Sequence, residues 1–160
     1  MLFTNTYERA IDAKQRLPIP AEIRAGLVQE GQSEALYLVQ GSNGGLWLWP
    51  QRTFEQMAGD IEPSLAPPAE VIDFDEITFP YAPRLEIDTA GRVRIPQEML
   101  EQAGIGAKVL ILGMRDHLEL WDPQTWHERH REKSARRGEI IERAGPVLRE
   151  RGRRAERSDQ

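Results

Sequence analysis

The chain has 160 residues, no cysteine and a formal net charge of −5 at pH 7. Because cysteine is absent, disulfides and thiolate metal sites are excluded, and without an apolar stretch of roughly 18 residues we expect neither a membrane span nor export. The charge is uneven, since residues 1–126 carry 10 Lys and Arg against 19 Asp and Glu, whereas residues 127–160 carry 11 against 7. An acidic body is therefore followed by a basic tail.

Strands and a hairpin are predicted in the first third of the chain. Residues 7–11 and 16–19 alternate polar and apolar side chains, which is typical of strands with one buried face. Residues 36–39 and 46–49 are two further apolar segments separated by an Asn-Gly turn, and they predict a β-hairpin. A helix should begin at Pro50.

An acidic, proline-rich linker follows this hairpin and helix. Residues 58–83 contain six Asp and Glu and no Lys or Arg. Residues 69–79 are predicted to form one helix within it. Such a segment repels polyanions, so any nucleic-acid contact is expected elsewhere.

The same order of elements recurs 76 residues later, which makes the chain a duplication. The pattern Asp-x-x-x-Arg-x-x-x-Pro occurs at residues 12–20 and again at residues 88–96. The second copy includes strands at 85–87 and 92–95, and a second hairpin is predicted over residues 109–121. We therefore predict an α+β fold of two tandem β-loop-β-helix-β-hairpin half-units, which form one pseudo-symmetric core.

A short helix is predicted after each copy of this pattern. Pro20 and Pro96 should occupy the first helical position, where proline loses no hydrogen bond, and Gly26 and Gly104 should end the helices. Apolar residues four apart on one helix face are predicted core, namely Ile23 with Leu27 and Met99 with Ala103.

The basic tail is predicted to be helical at first. Its helix should begin at Pro123, with Asp122 as the cap, and run to about Arg137. Glycines and a proline should interrupt any longer helix, and about the last ten residues are expected to be disordered. The interrupting residues are Gly138, Gly145, Pro146 and Gly152.

Four segments are thus predicted along the chain. They are repeat 1 at residues 5–53, the acidic linker at 58–80, repeat 2 at 82–125 and the basic tail at 126–160. A unit shorter than about 60 residues buries too little surface to be stable alone. We therefore expect the two repeats to share one core.

The repeated Asp and Arg residues are the candidate binding site. In a tight loop, the carboxylates of Asp12 and Asp88 can accept N–H groups two or more residues on and pair with the arginine four positions later. This would structure the loop and orient Arg16 and Arg92, whose guanidinium groups suit phosphate oxygens or guanine in the major groove. The alternative is that both pairs are only structural ion pairs.

The two copies differ in their remaining cations. The first has Lys14 within the loop, and the second has Arg94 on the strand that leaves it. We expect Arg92 and Arg94 to read bases or fix the register on DNA, and Lys14 and Arg16 to neutralise phosphate.

Other candidate sites are weaker. His127 and His130 have a spacing that a metal could use, but no third ligand is evident in the sequence around them. The four Trp residues are interpreted as core, because Trp49 and Trp121 hold equivalent positions beside alternating leucines. The arginines of the tail are interleaved with Glu, which favours a solvated helical face over a DNA-binding arm. We recognise no catalytic constellation and expect no cofactor and no bound metal.

The repeated motif also carries a resemblance to known proteins. Two Asp-x-x-x-Arg motifs in strand-loop-strand-helix units, with the sequence from Leu118 to Trp126 after the second, resemble the MraZ family of bacterial transcriptional regulators. The resemblance covers residues 3–130, and each half-unit is similar to the AbrB-like swapped-hairpin (SpoVT-AbrB) group of DNA-binding and antitoxin proteins. The family motif carries over to Asp12, Lys14, Arg16, Asp88 and Arg92.

This resemblance implies a core like a double-split β barrel. It also implies a cytoplasmic, nucleoid-associated homo-oligomer that forms a ring. It implies binding to repeated promoter sites upstream of a division and cell-wall gene cluster that includes its own gene, usually as a repressor. A membrane partner and an enzymatic activity are not implied.

Three features depart from the family pattern. Gln15 replaces a glycine, at a cost of about 1 to 2 kcal/mol if that position needs a positive φ. Pro18 removes a backbone donor from a strand, and the linker is more acidic and richer in proline. An alternative hypothesis is therefore a protein-interaction or assembly module that kept the fold and lost DNA binding.

Overall fold

The structure is a computed structural model that describes residues 1–29 and 35–158. One compact unit spans Met1–Pro123, and a second begins at Gln124. Within the described ranges, none of the helices has the length and apolar character that a bilayer crossing needs.

The elements alternate between short strands and short helices. The strands in chain order are β1 (Thr6–Ala10), β2 (Arg16–Pro18), β3 (Ala35–Gln40), β4 (Leu46–Pro50), β5 (Arg84–Glu86), β6 (Arg92–Arg94), β7 (Lys108–Gly113) and β8 (Leu118–Trp121). The helices are α1 (Ala21–Gln29), α2 (Gln51–Gly59), α3 (Ala69–Thr78), α4 (Gln97–Gln102), α5 (Pro123–Ala135) and α6 (Arg137–Ser158), and a 3-10 turn covers Phe79–Tyr81.

Six strands form one antiparallel sheet in the order β1-β7-β8-β4-β3-β5. Strand β1 of the first repeat pairs with β7 of the second, and β5 of the second repeat pairs with β3 of the first. The two hairpins meet at the centre, where Leu46 faces Leu120 and Leu48 faces Leu118. Each repeat thus completes the hairpin of the other, and the shared core that the short repeats predict is confirmed.

Strands β2 and β6 form a separate two-stranded antiparallel sheet, which we call the ribbon. Leu17 of β2 faces Val93 of β6, and both side chains are fully buried. Because successive side chains of a strand point to opposite faces, the residues that flank this pair lie on the other face of the ribbon. Those residues are Arg16, Pro18, Arg92 and Arg94.

The core draws on both repeats in matched positions. The aligned pairs Ile11 with Ile87 and Ile19 with Ile95 are all buried, at 9% exposure or less. In α1 the predicted core residues Ile23 and Leu27 are buried as well.

In α4 the predicted core face is displaced by one residue. Met99 and Ala103 are only partly buried against the core, and Leu100 is the buried side chain of this helix. The helix has only six residues, so its orientation is set by its packing against the core. A four-residue spacing of apolar residues therefore does not identify its buried face.

The helix boundaries correct two predictions. Pro20 and Pro96 precede the helices instead of occupying the first helical position: Pro96 has φ −56° and ψ 130°, and the Pro20 carbonyl accepts the first helical hydrogen bonds. Gly104 does follow α4, with φ +67°. Gly26 does not end α1, which continues to Gln29, because one internal glycine costs about 1 kcal/mol and the buried face of the helix offsets it.

The predicted interruption of the tail helix is wrong. Helix α6 runs through Gly138, Gly145, Pro146 and Gly152 to Ser158. Ion pairs one turn apart support it, with Arg143 at 2.7 Å from Glu139 and Arg154 at 2.6 Å from Glu150. Disorder was predicted for about the last ten residues; the structure has helix as far as Ser158, and residues 159–160 lie outside the described residues.

Candidate nucleic-acid interface

The first Asp-x-x-x-Arg motif forms a closed loop, which we call loop 1 (residues 12–16). Oδ1 of Asp12 accepts hydrogen bonds from the backbone N–H groups of Lys14 and Arg16, both at 2.9 Å. Oδ2 accepts from Nε of Arg16 at 2.6 Å. The Asp12 N–H donates to the Arg16 carbonyl at 3.1 Å. One carboxylate therefore holds both the backbone of the loop and the arginine side chain.

The second motif repeats this geometry in loop 2 (residues 88–92). Asp88 accepts from the N–H groups of Ala90 and Arg92 at 2.9 and 3.0 Å, and from Nε of Arg92 at 3.1 Å. The Asp88 N–H donates to the Arg92 carbonyl at 2.8 Å. Since the same bonds form twice, the motif itself encodes the loop. These are the hydrogen bonds that the predicted structuring role of Asp12 and Asp88 requires.

Both aspartates stay ionised at neutral pH, and both arginines are partly exposed. The hydrogen bond from the Arg16 N–H is the largest cause that lowers the pKa of Asp12, and the Arg92 N–H does the same to the pKa of Asp88. About a third of each arginine side chain is accessible, 33% for Arg16 and 31% for Arg92. Because each pairing uses Nε, the terminal nitrogens remain as donors for an outside acceptor.

The fourth loop position needs a positive φ in both copies. Gln15 has φ +58° and Gly91 has φ +77°. The condition stated for the departure at Gln15 is therefore met, and the cost of about 1 to 2 kcal/mol for a residue other than glycine applies to it.

In loop 2 a side chain at the fourth position would also meet a neighbour, the guanidinium group of Arg24. A Cβ atom on Gly91 would lie 2.6 Å from Cζ of Arg24. The residue of repeat 2 that aligns with Arg24 is Leu100, which is buried in the core. Loop 1 therefore has no arginine at the position equivalent to Arg24. The cost at Gln15 is the conformational cost of its positive φ.

The ribbon brings cations of the two repeats together. Arg16 lies opposite Arg94, and Pro18 lies opposite Arg92. Arg94 also donates from Nε to the Lys14 carbonyl at 3.1 Å. The structure thus places Arg94 beside loop 1, although the sequence groups it with Arg92. The expected division of roles between these residues stays a prediction.

Pro18 removes no hydrogen bond between the two strands of the ribbon. The Ile19 N–H donates to the Gly91 carbonyl, and the Ile95 N–H donates to the Gln15 carbonyl, each at 2.9 Å. In an antiparallel pair such hydrogen-bonded positions alternate with positions that make no cross-strand bond. Pro18 lies at one of the latter. The predicted loss of a donor therefore does not weaken the ribbon.

The two hairpins contain three tryptophans, which are Trp47, Trp49 and Trp121. Trp49 and Trp121 are buried, at 9% and 5% exposure. The Trp121 Nε1–H donates to Glu119 at 2.7 Å, and the Trp47 Nε1–H donates to Asn43 at 3.0 Å. Their burial supports the interpretation of Trp49 and Trp121 as core instead of base-stacking surfaces, whereas Trp47 is half-buried.

A charged cluster around His117 was missed by sequence analysis. Its ring stacks on Trp49 at 4.4 Å, and its nitrogens lie 2.7 Å from Asp116 Oδ1 and 3.2 Å from Glu119 Oε1. Because ionised carboxylates only accept hydrogen bonds, these two contacts favour the ring form in which both nitrogens donate, which is the positively charged form. Burial lowers the pKa of His117, but the bonds to the two carboxylates outweigh it and raise the pKa. The sequence places Asp116, His117 and Glu119 within four positions, but it does not show that His117 and Glu119 are buried.

The histidine pair of the tail has other contacts. His130 stacks on Trp126 with ring centroids 6.1 Å apart, and its Nε2 lies 3.2 Å from Ser134 Oγ. No group of three His, Asp or Glu side chains that could hold a metal occurs among the described residues.

A family model and several known proteins are similar to this chain, and all of them carry the name MraZ. The family model of MraZ, described as "MraZ protein, putative antitoxin-like", matches residues 2–75 and 79–144. A protein named transcriptional regulator MraZ from Mesoplasma florum is 32% identical over 142 residues, covering 89% of this chain and 94% of the relative. Proteins of the same name from Mycoplasma mycoides and Roseiflexus castenholzii are each 31% identical, over 80% and 78% of this chain and 92% and 84% of their own lengths. The match to the family model includes both loops and the ribbon.

Proposed function

The chain belongs to the MraZ family, and from this premise we propose that it is a DNA-binding transcriptional regulator that contacts DNA through the ribbon and its two loops. The names of the matched relatives support regulation, and the family is not one of enzymes. The proposed contact residues are Lys14, Arg16, Arg92 and Arg94, with Asp12 and Asp88 holding the loops in shape.

The single observation that carries this proposal is the charge on the ribbon. Four cations and two carboxylates meet on two loops and two short strands, within residues 1–126 that have a net charge of −9. A like-charge pair directly across two strands destabilises a sheet by up to about 1 kcal/mol. Positive charge concentrated on a body that repels polyanions is therefore best explained by a polyanionic partner.

The shape of the ribbon supports contact with double-stranded DNA. The major groove admits a two-stranded β-ribbon. A guanidinium group that is already oriented by a carboxylate loses less conformational freedom on binding than a free side chain. Arg16 and Arg92 meet this condition, because Asp12 and Asp88 hold their Nε atoms.

We further propose, on the family resemblance, a homo-oligomeric ring that binds repeated promoter sites of a division and cell-wall gene cluster, including its own gene, as a nucleoid-associated repressor in the cytoplasm. Many loops on one ring would raise the affinity for repeated sites through their effective concentration. A monodisperse monomer in sedimentation at micromolar concentration would contradict the ring and this source of affinity.

The alternative, an assembly module without DNA binding, has less support. Gln15, Pro18 and the acidic body were the features that suggested it. Gln15 adopts the positive φ that loop 1 needs, and Pro18 lies where the ribbon makes no cross-strand bond. Both departures therefore leave the loop geometry intact.

The test is binding to the upstream DNA of the chain's own gene and to a scrambled duplex of equal length, over a series of salt concentrations. We expect a preference for the upstream DNA and a linear fall of log K with log salt, with a slope of about −0.9 for each phosphate contacted. Arg92→Glu should abolish binding and leave the oligomer intact. Arg52→Glu, an equal charge reversal at an exposed residue of α2, is the matched control.

Each outcome of this experiment has a clear meaning. Tight binding by Arg92→Glu would show that loop 2 does not contact DNA. A wild-type protein that does not distinguish the two duplexes would favour the assembly module.

A further inference from the structure

Arg24 is a cation beside loop 2 that belongs to neither repeated motif. It lies on α1 and is half-buried. Its Nε–H donates to the Ile19 carbonyl at 3.2 Å. A Cβ atom on Gly91 would lie 2.6 Å from its Cζ and 2.9 Å from Nη1. The guanidinium group therefore rests against the backbone of loop 2, in space that exists because residue 91 is glycine.

A small cleft opens next to this guanidinium group. Its volume is about 90 Å³, and its lining includes Arg24, Leu27, Asp88 and Thr89. This space is larger than a single water molecule requires. The carboxylate of Asp88 is engaged by two backbone N–H groups and Arg92, so Arg24, Asp88 and Arg92 together leave one net positive charge at this end of the ribbon.

Comparison of the two repeats indicates what Arg24 contributes. Loop 1 receives Arg94 from the opposite strand. The residue that aligns with Arg94 is Pro18, which lies opposite Arg92 and brings no charge to loop 2. Arg24, which aligns with Leu100, has no charged counterpart at loop 1. Each loop thus has one cation from outside its own motif, supplied by a different element.

We propose that Arg24 is a further DNA-binding residue, which contacts a backbone phosphate next to loop 2 and takes the place of the cation that Pro18 lacks. This inference rests on the proposed function. The bond from Nε to Ile19 fixes the plane of the guanidinium group and leaves the terminal nitrogens as donors, which suit phosphate oxygens. Arg24 projects from α1 and not from the ribbon strands, so it contacts the DNA backbone and not base edges.

The test compares Arg24→Gln with Arg52→Gln, which removes the same charge from exposed α2. Affinity for the upstream DNA and for a scrambled duplex is measured at four salt concentrations, and thermal stability is measured in parallel. Arg24→Gln should weaken both duplexes equally, by about tenfold, and reduce the salt slope by about 0.9 for each engaged subunit. Arg52→Gln should retain the wild-type slope.

Two further variants separate charge from packing. Arg24→Met keeps an apolar stem against the core without the charge and should reproduce the loss of slope even if Arg24→Gln is unstable. Arg24→Lys keeps the charge and should retain the slope. A lower melting temperature with an unchanged slope in Arg24→Met would overturn the proposal, because Arg24 would then only support the fold.

The outcomes also distinguish this inference from the proposed function. If the wild type binds DNA, Arg92→Glu does not, and Arg24→Met binds like the wild type, the inference fails and the proposed function stands. If Arg92→Glu binds like the wild type, loop 2 does not contact DNA and the inference for Arg24 fails with it; if the wild type does not distinguish the two duplexes, the proposed function itself fails. Loss of the preference for upstream DNA in Arg24→Met, without a change in slope, would overturn the assignment to phosphate.

Discussion

Arg16 and Arg94 lie directly opposite each other on the ribbon, although they come from different repeats. They form a pair without cross-strand hydrogen bonds, and in such pairs the Cα atoms are only about 4.5 Å apart. Asp12 offsets the charge of Arg16 through a bond of 2.6 Å. Nε of Arg94 donates to the Lys14 carbonyl at 3.1 Å. The fold thus stabilises a local concentration of positive charge.

Replacing Arg94 or Lys14 by alanine tests whether these two cations have different roles. Arg94→Ala should reduce the discrimination between upstream and scrambled DNA by about 1 to 3 kcal/mol, since a base contact is lost. Lys14→Ala should weaken both duplexes equally and lower the salt slope by roughly one per engaged subunit. Arg94 bonds to the backbone of Lys14, so Lys14→Ala removes no acceptor. Equal loss of discrimination in both variants, measured at two salt concentrations, would show that the roles are not divided.

Replacing Asp88 tests the structuring of loop 2. Asp88→Ala removes the acceptor of two backbone N–H groups and of Nε of Arg92, so the melting temperature and the DNA affinity should both fall. Asp88→Asn keeps one acceptor oxygen and is the matched control, with a smaller effect expected. The pKa of Asp88 is lowered by folding, so its contribution is present above pH 3.8 and is lost as pH falls through the folded value. If Asp88→Ala has the melting temperature of the wild type, Asp88 does not stabilise loop 2 and the predicted structural role of the motif is wrong.

Gly91→Ala tests the contact between loop 2 and Arg24. We expect a loss of stability greater than the roughly 1 to 2 kcal/mol for positive φ, because the added Cβ would lie 2.6 Å from Cζ of Arg24. In an Arg24→Ala background the steric part of the destabilisation should disappear. The double-mutant cycle of Gly91→Ala and Arg24→Ala should therefore give an interaction energy of about 0.5 kcal/mol or more. Urea unfolding of the four proteins measures this coupling. Additive effects would mean that the guanidinium group moves aside at no cost.

Gln15→Gly is the complementary change in loop 1. It removes the strain of a positive φ, but glycine also gives the unfolded chain more freedom. The net effect should be a stabilisation of about 0.5 to 1 kcal/mol in urea unfolding. A destabilised Gln15→Gly protein would show that the side chain makes a contribution larger than the strain.

The cluster around His117 predicts a dependence of stability on pH. Burial opposes the charge, but Glu119 and Asp116 raise the pKa of His117 above its ordinary 6.5. A raised pKa gives stability that is fully present below pH 6.5 and is lost as pH rises through the folded value. The melting temperature should therefore be lower at pH 9 than at pH 6. In His117→Gln the difference should shrink, and an unchanged difference would place its origin elsewhere.

The conformation of both loops could be predicted from the sequence alone. The Asp-x-x-x-Arg motif closes its loop with bonds between residues at most four apart, as the contacts of Asp12 and Asp88 show. The positive φ at Gln15 could be predicted for the same reason, from its alignment with Gly91. Local bonds of this kind form in any context that leaves the loop exposed, so the pattern of residues is sufficient.

Which residues from elsewhere in the chain contact these two loops depends on the tertiary structure. The pairing of β2 with β6 places Arg94 beside Lys14, and the packing of α1 places Arg24 against Gly91. These contacts depend on which apolar faces are buried together across the chain. The short length of each repeat predicts a shared core, but it does not say which strands pair across the repeats. The pairing of β2 with β6, in which Leu17 and Val93 are buried opposite each other, is what brings the cations of the two repeats together.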